Sequence, residues 1–112
     1  VNIELVREFC LSLPHVTESL QWDEDLVFKV GGKMFAVADT KEFRVSFQCA
    51  PDVFAELLER QNMAPAPYLA RYHWVSLESP SAMRWTEARD LLRASYDRVF
   101  ATLPKKIRDT LK

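Results

Sequence analysis

Apolar positions recur every three or four residues at the start of the chain, where Ile3, Leu5, Val6, Phe9, Cys10 and Leu13 form one stripe and Glu4, Arg7 and Glu8 lie outside it. That spacing predicts an amphipathic helix over 2–13, with Asn2 placed to cap the first turn and Pro14 to end it. The period then changes. Leu26-Val27-Phe28-Lys29-Val30 and Lys33-Met34-Phe35-Ala36-Val37-Ala38 alternate on either side of Gly31-Gly32. Two adjacent glycines supply the positive φ angles of a tight primed turn, so this segment predicts a β-hairpin. A second turn over 39–42 leads into 43–49, where Phe43, Val45, Phe47 and Cys49 fall on one face and Arg44, Ser46 and Gln48 on the other. Such alternation is that of a half-buried strand.

The remaining segments fill in around this centre. Thr17 to Trp22 offers a strand before the hairpin, and Pro51 starts a short helix whose stripe is Val53, Phe54, Leu57 and Leu58, ending near Gln61. Pro65 and Pro67 keep the next stretch extended, and 72–77 predicts a further strand. A long helix over about 85–103 turns Ala88, Leu91, Leu92, Ser95, Val99 and Phe100 inward. Pro104 interrupts it or opens a last helix, in which Ile107 and Leu111 dock. The sum is an α+β, two-layer sandwich: a mostly antiparallel sheet packed against N- and C-terminal helices, with one sheet face buried and the other available. No linker, repeat or low-complexity run divides it, so residues 1–112 read as one domain.

Composition narrows the class. The chain has 112 residues, 48% hydrophobic and 28% charged, the usage of a globule with a real core rather than of a disordered tail. Cys10 and Cys49 sit in apolar stretches with no CxxC or Cys/His grouping, which predicts two buried thiols in a reducing compartment. No apolar run reaches membrane-spanning length, and the start at Val1 does not resemble a signal peptide, so the expected location is the cytoplasm.

The net charge of -1 conceals an asymmetry. Up to Phe28, Arg7 stands alone against Glu4, Glu8, Glu18, Asp23, Glu24 and Asp25. From Arg84 onward the basic residues Arg84, Arg89, Arg93, Arg98, Lys105, Lys106, Arg108 and Lys112 outnumber Glu87, Asp90, Asp97 and Asp109. A separation of this kind steers a polyanion or a partner protein, although alternating signs along one helix equally describe a solvated face. The open sheet face adds candidates for phosphate and base contact: Lys29 and Lys33 at the hairpin, Arg44 and Gln48 on the next strand, and Arg71, Tyr72 and Trp74 further on. Trp74 suits a core position as well as a ligand-facing one.

Catalytic and cofactor chemistry find little support. His15 and His73 have no repeated ligand spacing, and GxSxG, P-loop and dinucleotide fingerprints are absent from the sequence. Ser46, Cys49 and Ser95 would need a base within reach to act as nucleophiles, and Ser95 is in the packing phase of its helix. The run Asp23-Glu24-Asp25 lacks a defined coordination pattern. The expectation is a protein with no catalytic residues, no cofactor and no metal.

Phe9-Cys10-Leu11-Ser12-Leu13-Pro14, the hairpin from Leu26 to Phe35, Cys49-Ala50-Pro51, His73-Trp74-Val75 and Ser95-Tyr96 occur in an order that resembles the MmcQ/YjbR family over nearly the whole chain. The resemblance implies a CyaY-like fold, similar in architecture to frataxin, and DNA binding through hairpin wings. Lys29 and Lys33 match the two lysines of the family hairpin, and His73 and Trp74 match its HW pair. Tyr72 replaces a usual lysine, while Arg71 keeps a positive charge nearby. Cys10, Cys49 and Tyr96 match positions whose apolar settings favour packing. The leading expectation is therefore double-stranded DNA as partner, met by Lys29, Lys33, Arg44, Arg71, His73, Trp74, Lys105 and Lys106. The alternatives are a protein-interaction adaptor using the free sheet face, and a cation-binding protein prompted by the inferred architecture and the N-terminal acids.

Overall fold

Asn2 caps helix α1 (Ile3–Ser12) in the computed structural model, which describes residues 1–22 and 24–111: its side chain accepts the Leu5 N–H at 2.8 Å. Asp23, part of the acidic run, and Lys112, one of the basic C-terminal residues, lie outside the described residues. The helix stops at Leu13, which turns extended at φ -76° and ψ 146° because Pro14 disfavours the α region before it.

Six strands follow in one antiparallel sheet: β1 (Val16–Gln21), β2 (Asp25–Val30), β3 (Lys33–Asp39), β4 (Arg44–Gln48), β5 (Met63–Pro65) and β6 (Trp74–Leu77), in the order β1-β2-β3-β4-β6-β5. Helix α2 (Pro51–Leu57) lies between β4 and β5. The long α3 (Trp85–Thr102) and the short α4 (Lys105–Thr110) close the chain. The α+β sandwich expected from the periodicities is what forms.

Register decides which side chains meet the helices. Leu26 and Ala38, Phe28 and Ala36, Val45 and Leu77, and Phe47 and Val75 are cross-strand partners on the covered face. Val6 and Cys10 from α1, and Ala88, Leu92, Tyr96 and Val99 from α3, complete the core. Phe28, Phe35 and Phe47 are fully buried, and such burial contributes roughly 1.5–3 kcal/mol for each side chain. Phe9 of α1 meets Trp85 of α3 edge to face at 6.1 Å, which joins the two helices above the sheet.

One polar side chain organises this core. The β2–β3 register skips Phe35, a β-bulge that tucks its ring against Tyr96 at 5.4 Å. The β3–β4 ladder runs from Asp39↔Arg44 to Ala36↔Phe47, and its next rung would join Phe35 to Gln48. The Ser95 hydroxyl occupies that rung. It donates to the Phe35 carbonyl at 2.6 Å and accepts the Gln48 N–H at 3.0 Å, while Ser95 itself is fully buried. Its neighbour Tyr96 donates its hydroxyl to the Pro14 carbonyl at 2.7 Å, tying α3 to the end of α1. The Ser95-Tyr96 pair thus works by completing main-chain hydrogen bonding.

Three expectations need correction. The segment after α2 contains a strand, β5, because Met63, Ala64 and Pro65 pair with Leu77, Ser76 and Val75; the sheet edge tolerates Pro65, whose missing N–H faces no partner strand. The strand expected over 72–77 begins only at Trp74. Ala70–Tyr72 is a 3₁₀ turn and His73 is left-handed at φ 65°, its N–H bonded to the Ala70 carbonyl at 2.9 Å, so local turn bonds override the strand preference of Tyr72 and His73. Helix α2 ends at Leu57, short of Gln61.

Both cysteines are buried and free. Burial pushes the Cys10 thiol up to about 12 and the Cys49 thiol up to about 11, and Cys49 donates to the His73 carbonyl at 3.4 Å. Among the described residues no helix is long and apolar enough to cross a membrane.

Two outcomes are expected. Replacing Ser95 with Ala leaves a buried N–H and a buried carbonyl without their shared partner and lowers stability by about 2–4 kcal/mol in urea unfolding. Neither thiol of the native protein reacts with an alkylating reagent at mildly alkaline pH until denaturant is added, because the thiolate is scarce and shielded.

Candidate functional site

The β2–β3 turn is built by Gly31 at φ 59° and Gly32 at φ 84°, the two positive angles that the glycine pair predicts. Gly31 has a second role. A Cβ there would lie 2.6 Å from Leu103 Cδ1 and 3.3 Å from Ile107 Cγ2, so the bare backbone lets the α3–α4 corner settle directly on the turn. Leu103 is buried at this contact. The hairpin lysines and the α4 lysines are thereby brought to one end of the molecule.

Strand direction extends the grouping. That end holds the start of β1 after His15, the hairpin turn with Lys29 and Lys33, the end of β4, the residues Arg71–His73 before β6, and the start of α4 with Lys105 and Lys106. Lys29 lies on the face away from the helices, opposite Thr17 and Met34, and is half-buried; Lys33, Lys105 and Lys106 are exposed. Among the described residues none of these four lysines is engaged in an ion pair. Arg98, not singled out as a contact residue in the sequence, belongs here too, and so does the carboxylate of Asp52: burial raises the Cys49 thiol, the Arg98 charge opposes that rise and the Asp52 charge adds to it. The exposed place of Arg98 near the end of a long amphipathic helix was the available signal.

The opposite end is acidic. Strands β2 and β3 there bring Asp25 and Asp39 into direct cross-strand register, and Glu24, Glu42 and Glu78 stand nearby at the same ends of the strands. Arg44 lies at this end, apart from the other candidate cations. It is the register partner of Asp39, and its guanidinium is 3.5 Å from the Glu78 carboxylate. The charge asymmetry along the chain thus becomes an asymmetry along the strands.

Arg71, His73 and Trp74 are placed by a compact turn. The Arg71 guanidinium sits 4.8 Å from the centre of the Tyr72 ring and is exposed. His73 packs edge to face on Phe54 of α2 at 5.4 Å, and its carbonyl accepts the Cys49 N–H at 3.0 Å. Trp74 is on the face away from the helices yet only 4% exposed, because Ala66–Leu69 folds over it; the Ala66 N–H bonds its carbonyl at 3.0 Å. Beneath the same loop the hydroxyls of Ser46 and Ser76 share a hydrogen bond of 2.7 Å, which satisfies both buried groups. Among the described residues no three His, Cys, Asp or Glu side chains gather as a metal set.

Residues 11–98 match the family model of YjbR. Among solved structures, the crystal structure of Deinococcus radiodurans protein DR2400, described as a DUF419 domain, is similar at a TM-score of 0.89 and 32% identity, over 98% of this chain and 87% of that one. No curated protein matches the sequence.

The close approach at Gly31 predicts a difference between two neighbouring glycines. Gly31→Ala and Gly32→Ala both force Ala into positive φ, at about 1–2 kcal/mol, but only Gly31→Ala also displaces Leu103. It is expected to be the more damaging by about 1 kcal/mol and to speed amide exchange in α4, read by hydrogen-exchange NMR.

Proposed function

The chain belongs to the YjbR family, and on that premise we propose that it is a double-stranded DNA-binding domain whose contact surface is the hairpin end, with Lys29, Lys33, Lys105 and Lys106 meeting phosphates and Arg71 and Arg98 flanking them. The observation that carries this reading is the docking of the α3–α4 corner on Gly31, which joins two lysine pairs from distant parts of the sequence into one cationic end. Unpaired lysines suit the purpose. A cation already held by a carboxylate releases fewer counterions from DNA than a free one.

Arg44 is not part of this surface, since Asp39, Asp25 and Glu78 surround it at the other end and would repel phosphate. His73 and Trp74 serve the reading indirectly, by fixing the turn that carries Arg71. The acidic end also has a use, because a dipole along the strands orients the basic end towards a polyanion during approach. Such contacts give affinity without base discrimination, so binding is expected to depend little on DNA sequence.

Fluorescence anisotropy of a labelled short duplex tests the proposal. Four phosphate contacts should give a slope of about -4 in the plot of log affinity against log salt. Replacing Lys33 or Lys105 with Ala should each reduce the slope by about 1, while Arg44→Ala should leave it unchanged. The absence of association at about 50 mM salt would overturn the reading.

A further inference from the structure

The sheet face away from the helices carries a cavity of about 510 Å³ that runs along β3 from Asp25 and Asp39 at the acidic end to Met34, within the size range of small-ligand sites. Met34 and Val37 of β3 give it an apolar floor, and the Ala66–Leu69 loop closes one side. Its two aromatic lining residues are unusual for their exposure. Trp22 is 66% exposed and Tyr68 is 98% exposed, so neither contributes much to the core. Both also adopt left-handed backbone angles, φ 53° and φ 66°, a conformation that costs energy for a bulky residue.

The charges lining the cavity are unbalanced. Asp25 and Asp39 face each other across β2 and β3, an arrangement of like charges that destabilises a sheet. Asp39 directs one carboxylate oxygen to the N–H groups of Lys41 at 2.8 Å and Glu42 at 3.2 Å. Among the described residues Asp25 has neither an ion pair nor a side-chain hydrogen bond. Arg44 also lines the cavity, but its guanidinium is shared with Glu78. Burial, and after it the Asp39 charge, hold the Asp25 carboxyl above its ordinary range, although the Arg44 charge acts in the opposite direction.

We propose that this cavity binds a small organic cation, an ammonium group carried on an apolar or aromatic body. The ammonium sits against Asp25 and Asp39 and relieves their repulsion. The body lies on Met34 and Val37 between Trp22 and Tyr68, whose ring faces attract both cation and apolar surface. An anion of the same shape would meet two carboxylates and find the one guanidinium already held. Its carboxylates lie at the opposite end from the lysines proposed to meet DNA, only its floor reaching as far as Met34, the register partner of Lys29, so the two readings are tested separately.

Phenethylamine is a suitable probe, measured by calorimetry and by the fluorescence of the protein's tryptophans, with 2-phenylethanol and 3-phenylpropionate as the neutral and anionic counterparts. The amine should bind saturably at one site, about ten-fold or more tighter than the alcohol, and the acid should not bind. Asp25→Asn and Tyr68→Ala should each weaken the amine by about ten-fold with circular dichroism unchanged. Tyr68 is so exposed that its replacement leaves the fold intact, which separates loss of the site from loss of structure. No saturation by about 10 mM amine, equal affinity for amine and alcohol, or unchanged affinity in both variants would overturn the proposal. DNA is absent from this assay, so its failure says nothing about the basic end.

Discussion

The Ser95 hydroxyl replaces a missing rung of the sheet, and much of the architecture depends on that substitution. The β3–β4 ladder stops at Ala36↔Phe47, beside the β2–β3 bulge at Phe35, and leaves the Phe35 carbonyl and the Gln48 N–H without each other as partners inside the core. Two main-chain groups in such a place would cost more than most single contacts contribute. One hydroxyl that both donates and accepts resolves both, and since it comes from α3, the repair sets the height of that helix above the sheet. Tyr96 then bonds the Pro14 carbonyl and settles the end of α1 against the same helix.

From that anchored helix the arrangement of the hairpin end follows. With α3 fixed over Phe35, its C-terminal corner falls on the hairpin turn, where Gly31 offers no side chain to obstruct Leu103. The β2–β3 bulge beside the gap lets Phe35 reach Tyr96, so the bulge and the serine that fills the gap belong to one packing unit. A sheet distortion, a buried serine and a turn glycine therefore cooperate to place α4 beside Lys33. None of the three groups is charged, yet together they determine where charge accumulates.

The two faces of the sheet differ in what covers them. The helix side is a packed apolar layer that includes Val6 and Val99, interrupted by the hydrogen-bonded hydroxyl of Ser95. The other side is partly roofed by the Ala66–Leu69 loop, which shelters Trp74 and the Ser46–Ser76 pair and leaves beside it the cavity with the Asp25–Asp39 pair. Most of the carboxylates and the unpaired lysines fall at opposite ends because antiparallel strands return to each end in turn; Lys41, in the β3–β4 turn at the acidic end, is held there by Glu24.

Most of the secondary structure was legible in the residue pattern, since helix and strand periods, Asn2, Pro14 and the glycine pair act through contacts within a few residues. The same locality explains the errors: β5 is a strand only because β6 lies beside it, and Tyr72-His73 favours a strand until the turn bonds of Ala70–His73 override it. The candidate cations were visible as residue types, but which of them converge was not. Strand order and register decided that Arg44 stands among carboxylates while Lys33 and Lys105 share an end, and loop packing decided that Trp74 is covered while Trp22 and Tyr68 are open. By itself the sequence determined the fold class, the hairpin and the helix faces, because these follow from local backbone geometry. The tertiary structure alone decided the charge separation in space and the cavity, because both are made by residues distant in the chain and brought together only by packing.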